Sequence, residues 1–285
     1  MPLVLGSNLL ASRVQFAMGR TEEETRSALT RVATGSAVGR DGDTGARLAL
    51  ADRLRTQTRV SSVALINAQQ GLSYLATTDA GLAEIDSILT RMAELASQGA
   101  NTTFSTAQRS AFQLEFSALG SEIERISATT AFNGQQLLSF GSGVTLQVGI
   151  TSGVDSTIQV GSIITTLETL GIGAAGGSLS YSIVDETSEL SVSASQLAFS
   201  AILSAQDTLA TQRGAIGAAT SRLSASVDLL SATRETLAAA ESAVRDADVA
   251  QEITELTRLR VLQETQAALL AQANQVPALV LKLLE

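Results

Sequence analysis

The sequence has no cysteine, no histidine and no tryptophan among its 285 residues. The missing cysteine excludes a disulfide framework and a thiolate nucleophile. The missing histidine excludes imidazole as a base, proton shuttle or metal ligand. There are two prolines, Pro2 and Pro277, so no proline breaks a helix anywhere between them. Aromatic residues make up 3%, too few for a core packed around large rings. Cations are also scarce: 19 Lys and Arg stand against 28 Asp and Glu, a formal net charge of -9. Neutralising phosphates needs clustered Lys and Arg, so neither nucleic acid nor an anionic membrane surface is an expected partner. Mean hydropathy is high at +0.22, yet the apolar residues recur periodically. No window reaches the ~18 apolar residues of a membrane span. The opening Met1-Pro2-Leu3-Val4-Leu5-Gly6-Ser7-Asn8 lacks a basic segment and a full apolar segment, so it is not read as a general-pathway signal peptide.

What is present is a seven-residue rhythm. Ile202, Leu209, Ile216, Leu223, Leu230, Leu237 and Val244 stand seven apart, with Ala205, Ala219, Ser226, Thr233 and Ala240 three residues after most of them. This predicts one long helix with a narrow seam of alternating large and small side chains. It would run roughly 60 Å and needs a partner of similar length. Ala68, Leu75, Leu82, Leu89 and Ala96, with Ile85 and Met92 between, supply that partner in a helix from about Ala46 to Gln98. Gly99-Ala100-Asn101-Thr102-Thr103 ends it. Ser105 or Thr106 then caps a third helix with a stripe at Phe112, Phe116, Leu119, Ile123 and Ile126.

Outside these lie two terminal helices. The first runs to about residue 38, with Leu3, Leu10, Val14, Ala17, Leu29 and Val32 on its apolar face. The last carries Leu262, Leu269, Val276 and Leu283 at sevens. Gly39–Gly45 and Arg245-Asp246-Ala247-Asp248 separate them from the inner helices. Asp41 and Asp43 invite a calcium-loop reading, but Ala46 and Asp52 stand where that loop needs Gly and Glu. After Thr130 the period changes to two. Asn133-Gly134 is a turn signal, Val144, Leu146 and Val148 alternate with polar residues, and Ile158, Val160, Tyr181, Ile183 and Leu190 follow. Hairpins over about 131–190 are therefore expected, at one end of the helices.

The predicted fold is mainly α: a long antiparallel coiled-coil rod with a small β-hairpin region and the termini paired as outer helices. Residues 1–45 plus 245–285 form a terminal-helix domain, and 46–244 form the rod. No catalytic site, metal site or cofactor is expected. Acidic pairs such as Glu122 and Glu124 are two apart on a helix and point to different sides.

Several stretches then match a family. Leu50-Ala51-Asp52-Arg53-Leu54-Arg55, Asn67-Ala68-Gln69-Gln70-Gly71 (with Gln70 where an acid or Asn is usual), Ile88 to Ala96 and Thr130 to Leu138 occur in order. Ala239 to Asp248 and Gln266 to Gln275 complete the series. Together they resemble bacterial flagellin, over nearly the whole length. The large variable outer domains of many flagellins have no room here, because only about Ser139 to Ser191 is available.

The resemblance implies a subunit that self-assembles into the helical flagellar filament, exported by the type III route with a chaperone and meeting hook-associated and cap proteins. A hook–filament junction protein is the alternative. Leu3, Leu10, Val14, Leu262, Leu269, Val276 and Leu283 become the self-assembly seams. The resemblance also implies a surface for other subunits or for a host Toll-like receptor at Arg91, Leu95 and Glu115, with Ala93 where the motif has arginine. Arg91 and Leu95 are four apart and share a helix face, so Leu95 is expected to be exposed beside Arg91.

Overall fold

A computed structural model describes residues 8–37, 45–139, 143–174, 176–185 and 187–284, without the side chains of Ser188 and of 276–284. Leu3, the linker positions before Gly45, and the side chains of Val276 and Leu283 lie outside the described residues. Five helices carry the fold: α1 (Leu9–Thr34), α2 (Gly45–Gly99), α3 (Thr106–Thr129), α4 (Ser188–Arg245) and α5 (Val249–Leu284). Between α3 and α4 lie three antiparallel strand pairs, β1–β2 (Ala131–Phe132, Gln135–Gln136), β3–β4 (Val144–Gln147, Thr157–Val160) and β5–β6 (Gly173–Ala174, Ser178–Leu179). The chain divides into two compact units, Met1–Arg59 with Glu235–Glu285, and Val60–Arg234.

In the unit Val60–Arg234, α2 and α4 run antiparallel. Ser61 Oγ donates to Leu230 O at 3.3 Å, Arg213 Nε to Asp79 Oδ1 at 3.1 Å, and Gln206 Nε2 to Thr90 Oγ1 at 3.2 Å. As one number rises along α2, its partner falls along α4. Every seam residue read from the heptads between Ala68 and Ala96 is buried, as are Ile202, Leu209, Ile216, Leu223 and Leu230 opposite. Gly71 lets the two helices and the hairpin close up, since a side chain there would come within 2.5 Å of Leu146 and 2.7 Å of Leu223. Helix α3 starts on Ser105, whose hydroxyl accepts from Gln108 N while Gln108 Oε1 accepts from Ser105 N at 2.9 Å. This reciprocal cap satisfies donors that a helix start leaves open. The buried Arg109 guanidinium donates to Asn101 O at 3.0 Å and holds the turn that folds α3 back on α2.

The segment between α3 and α4 is not gathered at one end of the helices, as the sequence suggested. Asn67 Nδ2 donates to Gln147 O at 3.3 Å, the Tyr74 ring meets Phe132 edge-on at 6.0 Å, and Gln113 Oε1 accepts from Ile183 N at 2.7 Å. Ser195 Oγ, which a side chain at Gly99 would approach within 2.7 Å, donates to Ile183 O at 3.1 Å. The segment thus lies alongside α2 from Asn67 to Gly99, about 50 Å of helix. The cause is burial: Val148, Ile158, Val160, Ile163, Leu167, Leu170, Ile172 and Ile183 join the same apolar cluster as the helices. The turn signal holds, with Asn133 at φ 50° and Gly134 at φ 78° closing β1–β2. β3 and β4 pair Val144 with Val160 and Leu146 with Ile158. Tyr181 and Ile183 form no strand, and Leu190 already belongs to α4. Its N–H donates to Thr187 Oγ1 at 3.3 Å, so the alternating Ser/Leu/Val run there is a capped helix start.

In the other unit α1 and α5 are antiparallel. Asn8 Nδ2 donates to Ala273 O at 2.9 Å, and Gln266 and Gln263 donate to Thr21 and Thr25 at 3.0 and 3.2 Å. Arg31 grips Glu252 with two bonds of 2.8 and 2.9 Å. Gly35, at φ 66°, ends α1, after which Ala37 N–H donates to Arg245 O at 2.7 Å and Ala247 N–H to Gly35 O at 2.9 Å.

Candidate functional site

The α1–α5 pair places its large apolar residues outward. Between the two helices lie small or polar groups: Ala11, Thr21, Ala28 and Ala273 are buried, with Leu256 and Leu259 the only large aliphatic residues buried there among the described residues. Phe16 is 74% exposed, Leu9 63%, Leu10 59%, Val261 56% and Leu269 54%. Leu29, Ile253 and Val249 are exposed as well. The Thr–Gln bonds and the Arg31–Glu252 pair hold the helices together, so the apolar faces remain available. Large apolar side chains left exposed in such number on one helix pair suit contact with further chains.

The seam positions read from the sequence follow this pattern. Leu10 and Leu269 are exposed, and Val14 and Leu262 are half-buried. The sequence reading missed Leu9, Phe16, Ile253 and Val261, whereas Leu29, which it placed on the apolar face of the first helix, is exposed. Leu9 and Phe16 stand seven apart on α1, a spacing that a search for one seam per helix passes over.

The second surface couples α2 and α3. Arg91 Nε donates to Glu115 Oε1 at 2.8 Å and Nη1 to Glu94 Oε2 at 2.9 Å. The hydrogen bonds that Arg91 donates to Glu94 and then to Glu115 raise its pKa, so the guanidinium stays charged. The structure brings Arg91 and Glu115 together at the surface but corrects the placement of Leu95, which is fully buried. The reason is that α2 faces two partners here. Opposite α4 alone a narrow seam suffices, whereas with α3 folded back the buried face widens to Ile85, Ile88, Leu89, Met92, Leu95 and Ala96. Sharing a helix face with Arg91 therefore did not make Leu95 exposed.

Among the described residues no three acidic side chains are grouped so as to hold a metal ion, and no helix is long and apolar enough to cross a membrane. The largest hollow described in the unit Val60–Arg234 is an open groove of about 660 Å³ between Leu72, Ala76 and Asp79 on α2 and Ala210, Gly217 and Thr220 on α4. It contains no nucleophile paired with a base.

Comparison with known proteins agrees with this geometry. Residues 6–142 match the bacterial flagellin N-terminal helical region, and residues 199–284 match the bacterial flagellin C-terminal helical region. The chain is 36% identical to a flagellin of Halalkalibacterium halodurans, covering 99% of this chain and 100% of that one. It is 32% identical to a flagellin of Bacillus subtilis, over 98% and 99% of the two chains. It is 29% identical to flagellin FlaB1 of Treponema pallidum, over 99% and 100%. The two matched regions hold α1 to α3 with β1–β2, and most of α4 with α5, leaving β3 to β6 between them, and a full-length relative exceeds 30% identity: this chain belongs to the flagellin family.

Proposed function

We infer that the chain is the structural subunit that self-assembles into the helical filament of the bacterial flagellum. The observation that carries this is the α1–α5 pair, held by polar bonds inside and apolar outside. Covering a Leu-sized side chain contributes roughly 1.5–3 kcal/mol, so several exposed ones per helix can drive association. Identical contacts that do not close into a ring extend into a helical polymer. Nothing favours the hook–filament junction alternative. The test is electron microscopy of purified protein added to sheared filament seeds. Growth of long filaments is expected, and no growth at any concentration would overturn the reading.

The finer assignments follow the same logic. The terminal-helix domain, 1–45 with 245–285, lines the inner tube through Leu3, Leu10, Val14, Leu262, Leu269, Val276 and Leu283, and 46–244 form the wall. Export proceeds by the flagellar type III route, with a chaperone covering the C-terminal helix before the subunit meets hook-associated and cap proteins outside the cell. Membership in a family of structural proteins supports a non-enzymatic role. Arg91 and Glu115 are the surface residues through which a host Toll-like receptor would engage the monomer; a receptor reporter assay comparing wild type with Arg91→Ala tests this, and equal responses refute it.

A further inference from the structure

The sequence holds five asparagines, Asn8, Asn67, Asn101, Asn133 and Asn274, and only Asn133 is followed by glycine. The other four are engaged through the side chain or the helix around them. Asn8 accepts from Ala11 N at 3.0 Å and donates to Ala273 O at 2.9 Å. Asn67 Nδ2 donates to Gln147 O at 3.3 Å, and Asn101 Oδ1 accepts from Thr103 N at 3.0 Å. Asn274 lies inside α5, where the next backbone N–H belongs to the helical ladder. Asn133 differs in each respect. With Gly134 it closes the β1–β2 hairpin, at φ 50° and 78°, and both residues are exposed. Its carboxamide forms no hydrogen bond among the described residues, and neither does the Gly134 N–H. In a two-residue hairpin of this kind the closing bonds join the flanking residues, here Phe132 and Gln135, and bypass the loop. A side chain built on Gly134 would meet nothing, so water reaches the turn freely.

This arrangement has a chemical consequence. The backbone nitrogen that follows an asparagine can attack that residue's own Cγ, and a glycine nitrogen does so without a Cβ to crowd it. The bond from Gly134 N to Asn133 Cγ forms, the bond from Cγ to Nδ2 breaks, and the nitrogen leaves as ammonia with the proton that the Gly134 amide gives up. The five-membered imide that results is opened by water. Cleavage of its bond to Cγ gives aspartate, and cleavage of its bond to the backbone carbonyl carbon gives isoaspartate. One water is consumed and one ammonia released, with no oxidant or reductant.

We propose that Asn133 is a self-modification site, converted in the folded chain by Gly134 N and water to aspartate and isoaspartate. The site does not depend on the filament reading. Aspartate leaves the path of the chain unchanged and adds one negative charge to an exposed turn. Isoaspartate routes the chain through Cβ and Cγ and so lengthens a loop whose length fixes the register of the strands beside it. The pairing of Phe132 with Gln135 is then lost. With it go the edge-on contact of the Phe132 ring on Tyr74 and the bond of 2.9 Å from Gln136 Nε2 to Ala128 O.

The test is incubation of the folded full chain at mildly alkaline pH, with a parallel sample in urea. Peptide mass spectrometry follows each amide, and isoaspartate methyltransferase with a labelled methyl donor detects isoaspartate. The folded chain should lose the amide of Asn133, release an equal amount of ammonia and take label in that peptide, while Asn8, Asn67 and Asn101 keep their amides. Gly134→Asp retains a residue type that tolerates the left-handed backbone, and should slow the conversion about tenfold or more because its Cβ crowds the attacking nitrogen. Hydrogen exchange over 131–137 should quicken in the labelled fraction. Retention of the Asn133 amide in the folded chain while the urea sample converts would show that the hairpin protects it, and overturns the proposal. So does an unchanged rate in a Gly134→Asp chain that circular dichroism shows to be folded. Should that variant fail to fold, the comparison of folded and unfolded wild type decides alone. Unchanged exchange in the labelled fraction would overturn the loss of strand pairing.

Discussion

The α1–α5 pair and the helical body between Val60 and Arg234 use the same residue types and similar heptads, yet bury them in opposite ways. In the body, Leu75, Leu82, Leu89, Phe116 and Ile123 are fully inside, because α3, α4 and the strand segment surround α2. In the pair, two helices alone cannot enclose a broad apolar face. Their contact is narrow and held by Thr21, Thr25, Gln263, Gln266 and Arg31–Glu252, while Phe16 and Leu269 face outward. A heptad therefore says that a helix has a partner, but not whether the partner lies within the same chain. On the proposed filament reading, the body supplies stability to the monomer and the pair supplies valence to the polymer.

The sharpest way to break this contrast is a matched pair of truncations. Phe116→Ala should destabilise the monomer by about 3–5 kcal/mol in urea unfolding. Phe16→Ala should change it by no more than about 0.5 kcal/mol, while raising the critical concentration for filament growth roughly tenfold or more. Equal losses of monomer stability would refute the contrast.

Glycine gives a smaller test. Gly71→Ala forces a side chain onto Leu146 and Leu223 and should cost about 1–3 kcal/mol. Gly214→Ala meets nothing and should stabilise the monomer by roughly 0.5–1 kcal/mol through helix propensity. If both moved melting in the same direction, the packing assigned to one of them would be wrong.

Arg31→Ala removes a bidentate pair whose side chains are 27% and 18% exposed, and should weaken the α1–α5 pair by about 1 kcal/mol. Limited proteolysis of the monomer should then trim the termini faster and leave the body intact; an unchanged cleavage rate would show that the pair does not depend on this bond.

The least effect is expected from acid. Hydrogen bonds from Arg258 and Arg125 hold the Glu255 and Glu122 carboxyls below their ordinary value. A depressed folded pKa contributes stability above the unfolded value, lost as pH falls through the folded one. A slight loss of helicity is therefore expected below about pH 4.5, in α5 as in α3, and Glu255→Gln should remove the α5 share. The measurement is a helicity titration by circular dichroism, and identical curves for wild type and variant would exclude the contribution.

Much of the architecture could be read directly, because helices declare themselves through local spacing. The buried residues of α2 and α4, the Ser105 cap, the Asn133-Gly134 turn and the break at Arg245–Asp248 all follow from neighbours within a few residues of each other. The seven-residue repeat also determined that α2 and α4 must pair, since only one other stretch matched in length. What tertiary structure decided was enclosure. Whether Leu95 is inside depends on α3 returning across a helix that α4 already covers. Whether 131–190 sits at an end or lies along the helices depends on eight apolar side chains finding a groove that exists only after folding. The outward turn of Phe16, Leu29 and Val261 depends on which side of α1 and α5 the Thr–Gln bonds form. Spacing along a chain fixes the direction in which a side chain leaves its helix, and only the assembled neighbours decide whether that direction leads to core or to solvent.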